Sequence, residues 1–122
     1  MPKPQPVLLR GESPMEAVER LSIRDAILPH TMSIPPKFDV CYFLELQGAV
    51  RIGFTQHLAG RMKDYESYCC DPPELLGVLR GGRELERTLH GIFVPYRLRG
   101  EWYEHDGALA DFTDELVFAG VL

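Results

Sequence analysis

Apolar residues fall along this chain in two periods, one of two residues and one of three to four. Val40-Cys41-Tyr42-Phe43-Leu44-Glu45-Leu46 is β-branched, aromatic and apolar with no breaker inside it, and predicts a strand. Gln47-Gly48 supplies a tight turn, because glycine accepts the positive φ that short hairpins need. Ala49 to Phe54 then returns as a second strand, with Val50, Ile52 and Phe54 on one face and Arg51 and Gly53 on the other. Thr55 predicts the N-cap of a helix over 56–66 that carries His57, Leu58, Arg61 and Met62. Asp71-Pro72-Pro73 ends that segment, Glu74 to Arg80 reads as a third strand, and Gly81-Gly82 breaks it. Arg83 to Phe93 has the clearest helical period, with Leu85, Leu89, Ile92 and Phe93 on one side, and Pro95 closes it. Arg97 to Tyr103 is expected as a loop, and Ala108 to Phe118 as a closing helix with Leu109, Phe112, Leu116 and Val117 apolar.

The first residues read differently. Pro2, Pro4, Pro6 and Gly11 break the start, so that only Val7-Leu8-Leu9 could pair as a short strand. Ser13-Pro14-Met15-Glu16 is a strong helix start, with serine at N-cap, proline at N1 and glutamate at N3 for a capping box. Ala17, Val18, Leu21 and Met15 give that helix an apolar side, and Asp25 to Leu28 either continues it or forms a second short piece before Pro29. His30 to Phe38, with Pro35-Pro36, reads as a linker. The pattern therefore predicts an α+β fold: a small three-stranded antiparallel sheet flanked by helices, over 39–122, with an N-terminal helical extension over 1–38. The extension is expected to pack on the domain or to make a homodimer contact.

A chain of 122 residues forms one domain with a core that needs no disulfide. No apolar run approaches the ~18 to 20 residues of a membrane span, and the amino terminus lacks the apolar core of a signal peptide. Cys41, Cys69 and Cys70 are odd in number and lack metal-ligand spacing, which points to a reducing, cytoplasmic compartment. The formal net charge of −5 hides a central segment, Arg51 to Arg99, of net +2, and a following stretch with six acids and no base. That balance argues against coating nucleic acid by bulk attraction and leaves room for a local arginine-rich face.

Five pieces of the sequence, in order, carry a resemblance: Tyr42-Phe43, Arg51-Ile52-Gly53-Phe54-Thr55, Arg61, Leu85 to Phe93, and Arg99-Gly100-Glu101-Trp102-Tyr103. Together they resemble the GIY-YIG nuclease superfamily in its compact phage and prokaryotic branch, over about residues 39–105. The resemblance implies a divalent-metal-dependent endonuclease that hydrolyses DNA phosphodiester bonds to 5′-phosphate and 3′-hydroxyl ends. It leaves open single- or double-stranded DNA as partner.

The same resemblance implies roles. Tyr42 helps to activate the attacking water, for which a phenol needs a neighbouring cation or a metal-linked water. Arg61 stabilises charge on the phosphate, and Glu86 holds one Mg²⁺ or Mn²⁺ ion as a hard oxygen ligand. His90, one turn from Glu86, touches the phosphate or orients a ligand. Arg51 stands where the family has tyrosine or lysine; it grips phosphate but cannot take a proton. The alternative is a catalytically weak or inactive nucleic-acid-binding or protein-interaction module. In the catalytic reading Tyr42, Arg51, Arg61 and Glu86 converge around a shallow, solvent-open concavity on one side of the sheet. Trp102 and Tyr103 are expected as core and loop anchors, and His57 and His105 have no evident partner in the sequence.

Overall fold

The structure, a computed structural model, describes residues 7–29, 34, 37–68, 71 and 73–121. The proline-rich start, most of the expected linker including Pro35-Pro36, the pair Cys69-Cys70 and Pro72 lie outside the described residues. The expected hairpin forms as β2 (Val40–Leu46) and β3 (Ala49–Thr55), in full register from Val40 opposite Thr55 to Leu46 opposite Ala49. Gln47 and Gly48 close it with φ of +51° and +81°, the paired positive values of a tight hairpin turn whose twist matches the strands. The third expected strand is β4 (Glu74–Arg80), which pairs antiparallel with the other side of β2.

The sheet is larger than three strands. Among the described residues it has six, all antiparallel, in the order β1 (Ile27–Leu28), β4, β2, β3, β6 (Trp102–Glu104) and β5 (Arg97–Arg99). Two additions come from the expected loop: Arg97–Arg99 and Trp102–Glu104 form β5 and β6 around Gly100, and β6 pairs with the first half of β3. The third comes from the extension, where Ile27–Leu28 form β1 against Leu79 and Val78 of β4. These strands are two or three residues long, and β5 is wholly exposed, so their sequences hold no alternation to read. A neighbouring strand, not their own pattern, makes them strands.

Four α-helices lie among the described residues: α1 (Pro14–Arg20), α2 (Leu58–Tyr68), α3 (Arg83–Ile92) and α4 (Gly107–Val121). The capping box of α1 is complete, with Ser13 Oγ accepting from the Glu16 N–H at 3.2 Å and the Glu16 carboxylate accepting from the Ser13 N–H. Residues Ile23–Ala26 form a 3-10 turn rather than more helix. Val7 to Leu9 form no strand, although Val7 and Leu8 pack against the core. Thr55 belongs to β3 and does not cap α2; its hydroxyl accepts from the His57 N–H at 3.0 Å, and α2 begins after His57.

Alternation sends Cys41 and Phe43 of β2, with Val50 and Ile52 of β3, into one core with Leu89 and Ile92 of α3 and Leu109, Phe112 and Leu116 of α4. Phe43 meets Phe112 edge-on, with ring centroids 5.5 Å apart. Two expected apolar positions stay outside it, since Leu21 and Val117 are each 38% exposed. Ala17, Val18 and Ile23 of the extension are buried in this same core, where α1 lies against α3 and α4. That face is covered within the chain, which leaves the expected homodimer contact without support. Arg24 fixes the arrangement with a two-pronged pair to Glu115, Nε and one terminal nitrogen each 2.7 Å from a carboxylate oxygen. Among the described residues no helix is long and apolar enough to cross a membrane.

Candidate functional site

The opposite face of the hairpin carries the polar chemistry. Tyr42 on β2 stands directly across from Gly53 on β3, and a Cβ at Gly53 would come within 2.5 Å of the Tyr42 hydroxyl. The missing side chain is what lets the phenol lie flat over β3. Its hydroxyl reaches the hydroxyl of Tyr65, one turn beyond Arg61 on α2, at 3.0 Å. Tyr42 is 1% exposed, so the expected solvent-open setting does not hold for this residue. The half-buried phenol of the pair is Tyr65.

Arg51, two residues before Gly53, lies over the Tyr65 ring at 5.6 Å and over the Trp102 ring at 5.7 Å. Its terminal nitrogen NH2 pairs with Glu101 Oε2 at 2.9 Å, while its Nε is buried without a partner. Trp102 stands opposite Arg51 in the β3–β6 ladder, which explains why the two side chains meet. Burial pushes the Tyr65 phenol above the ordinary tyrosine range, its hydrogen bond to Tyr42 adds to this, and the charges of Arg51 and Arg61 oppose it. Arg61 itself is exposed and stands as a cation beside Tyr65.

Glu86 and His90 come from α3, on the other layer, and reach the site around the edge of β3. Beyond Arg51, β3 has no β6 partner, and Ile52 is bonded instead to two flanking groups. Its N–H donates to the Glu101 carbonyl at 3.0 Å, and its carbonyl accepts from His90 Nε2 at 2.8 Å. His90 also lies against the buried Tyr103 ring, with centroids 5.5 Å apart. This histidine therefore anchors α3 to the strand edge, and its Nε2 proton is committed to a backbone carbonyl. Glu86, one turn earlier, is held above the usual carboxylate range first by burial and then by the charge of Glu101, with His90, Arg83 and the Phe54 N–H pulling the other way.

The structure thus strings the groups together: Arg61 one turn from Tyr65, Tyr65 on Tyr42 and Arg51, and Arg51 on Glu101, whose charge in turn acts on Glu86. Of the expected residues, Tyr42 and Arg51 share this contact network directly, Arg61 and Glu86 border it electrostatically, and His90 serves the strand edge. Tyr65 joins it without having been singled out in the sequence, and Glu101 joins it from the closing motif, where it had been given no role. Tyr65 had a weak signal in its spacing of four from Arg61; Glu101 had one in its place beside Trp102.

Among the described residues no group of three or more His, Cys, Asp or Glu side chains could hold a metal ion. A half-buried Glu86 with Glu101 near it fits a hard cation that keeps most of its waters, and does not fit zinc. His105, for which the sequence showed no partner, bridges Glu45 Oε2 at 3.0 Å and the Thr113 hydroxyl at 2.8 Å, pinning α4 to β2.

No curated protein and no solved structure matches the chain. The family model that matches is that of the T5orf172 domain, over residues 39–117. This match corrects the assignment to the GIY-YIG superfamily that the motifs led one to expect. It spans more than half of the chain, from the residue before β2 into α4, and the chain belongs to the T5orf172 domain family.

Proposed function

We propose that this protein binds DNA across the Tyr65–Arg51–Glu101 face and hydrolyses its phosphodiester bonds with a divalent cation. The family supports the reading at the coarse level of nucleic-acid interaction, being nuclease-like and DNA-binding in character. The observation that carries it is the juxtaposition of a fixed guanidinium, Arg51, with the paired phenols of Tyr65 and Tyr42 on one side and the Glu101 carboxylate on the other, the half-buried Glu86 feeling the charge of that carboxylate.

In this reading Arg51 and Arg61 hold the phosphate and stabilise its developing charge. Tyr65, its hydroxyl held by that of Tyr42, orients the attacking water. Glu86 holds Mg²⁺ or Mn²⁺, which supplies Lewis-acid stabilisation of the phosphoryl oxygens. His90 keeps α3, and with it Glu86, seated on β3. A cytoplasmic setting accords with the buried free thiol of Cys41. A second reading, DNA binding without useful catalysis, draws on the enclosure of Tyr42 and on Arg51, which cannot accept a proton.

The test is nicking of labelled single- and double-stranded DNA in Mg²⁺ or Mn²⁺, with Glu86→Ala as control. Metal-dependent nicking lost in Glu86→Ala is the expected result. Binding without nicking by the unaltered protein selects the second reading.

A further inference from the structure

We propose that the Arg51 guanidinium is a seat for one backbone phosphate of DNA that the Glu101 carboxylate keeps filled in the free protein and that the phosphate must take from it. The inference rests on the proposed DNA-binding reading and adds a gate to the same site.

Glu101 meets a terminal nitrogen of the guanidinium 2.9 Å away, with both side chains partly exposed. The resident pair is therefore of the weak, screened kind, open to exchange. It also leaves the buried Arg51 Nε–H without a hydrogen-bond partner, a donor that the resident pair does not use. A phosphodiester carries the same single negative charge and offers tetrahedral oxygens that span guanidinium donors. Cation–ring contacts with Tyr65 and Trp102 hold the guanidinium in place, so the seat persists when its occupant changes.

The gate needs little motion. The Glu101 carbonyl accepts from the Ile52 N–H at 3.0 Å, and Arg97 Nε donates to the Gly100 carbonyl at 3.1 Å, which ties down the turn between β5 and β6. Only the Glu101 side chain has to swing away. Glutamine at this position keeps the size and removes the charge that competes with phosphate.

The experiment measures fluorescence anisotropy of a short fluorescein-labelled single-stranded DNA at low salt with EDTA present. Glu101→Gln is expected to bind about fivefold more tightly than the unaltered protein, the size set by the loss of an exposed ion pair. Glu104→Gln, which removes an equal charge from the neighbouring exposed position, is expected to change affinity by less than about twofold. In an Arg51→Gln background the Glu101→Gln gain is expected to shrink to that of Glu104→Gln. Equal gains for Glu101→Gln and Glu104→Gln, or a Glu101→Gln gain that survives Arg51→Gln, overturn the gate. If Arg51→Gln binds as the unaltered protein does, the phosphate contact at Arg51 falls with it; a loss on Arg51→Gln without a gain on Glu101→Gln removes the gate alone. The Arg51 Nε–H resonance gives a second reading without altering Arg51. It should move on adding the DNA, and at lower DNA concentration in Glu101→Gln; a resonance indifferent to DNA overturns the seat.

Discussion

The hydroxyl of Tyr42 meets the hydroxyl of Tyr65 at 3.0 Å, across a sequence separation of 23 residues. Either substitution to phenylalanine leaves the other hydroxyl alone under partly buried conditions, at a stability cost of about 1 kcal/mol. In the catalytic reading each is expected to slow metal-dependent nicking by about a hundredfold. The double variant should lose little more than either single one, because the two oxygens act as a unit. A Tyr42→Phe protein that nicks at the unaltered rate removes the pair from the mechanism; melting temperature and initial nicking rates measure the two effects separately.

Arg51 acts on Tyr65 through its charge, favouring the phenolate against burial. Arg51→Ala should therefore push the Tyr65 ionisation still higher, and Arg51→Lys should leave it nearer its original position. Ultraviolet absorbance at the highest pH the fold survives, compared with and without Tyr65→Phe, reads the direction: the Tyr65 phenolate contribution should be smaller in Arg51→Ala than in Arg51→Lys. DNA affinity should fall in Arg51→Ala and persist in Arg51→Lys. Nicking should persist or rise in Arg51→Lys, because lysine adds an amine that can titrate. Arg51→Ala with unchanged affinity and unchanged tyrosine titration would remove Arg51 from both roles.

Cys41 lies in the core with its thiol directed at the carbonyls of Gly81 and Gly82, 3.6 and 3.5 Å away. Burial, followed by the charges of Glu86 and Asp39, pushes this thiol up from 9.0 to about 12. The thiolate is disfavoured in the folded state, so the stability linked to Cys41 is complete below 9.0 and declines as pH rises toward about 12. In a Cys69→Ser/Cys70→Ser protein, iodoacetamide at mildly alkaline pH should leave Cys41 unmodified until denaturant is added. Rapid native-state labelling by mass spectrometry is the contrary outcome.

Val18 and Ala17 are wholly buried, and Ile27 and Leu28 pair with β4, so the segment before the hairpin belongs to the core. Val18→Asp places a carboxylate in that apolar contact and should destabilise the fold by about 3 kcal/mol or more. Deletion of 1–38 uncovers α3, α4 and the outer edge of β4 at once, and should yield aggregating protein. Size-exclusion chromatography and thermal melts decide the matter; a soluble, equally stable deletion product would show the segment to be dispensable.

The legible parts of this fold are those whose local pattern agrees with their final surroundings. The β2–β3 hairpin has a glycine at its turn and apolar alternation on its return strand, and α3 carries Leu89 and Ile92 on a single face. Strands β1, β5 and β6 were not legible because hydrogen bonding to β4 and β3, residues far off in sequence, defines them. The site divided in the same way. Tyr42, Arg51 and Glu86 stand in motif-bearing segments, whereas Tyr65 sits among Lys63, Asp64 and Glu66 and reads as one more polar-face residue of α2. Its partnership with Tyr42 and Arg51 exists only after α2 folds back over the hairpin. His105 likewise depends on Glu45 and Thr113, which the sheet and α4 bring together.

Arg24 and Glu115 are joined across 91 residues of chain. During synthesis, the hairpin and α3 are made before α4. Until then α1 has α3 but lacks α4, and its buried residues have only part of their final cover. The Arg24–Glu115 clasp makes closure of the core a long-range step of the kind that slows folding. A truncation within α4 should for that reason be felt first at the opposite end of the polypeptide, as exposure of α1 to proteases.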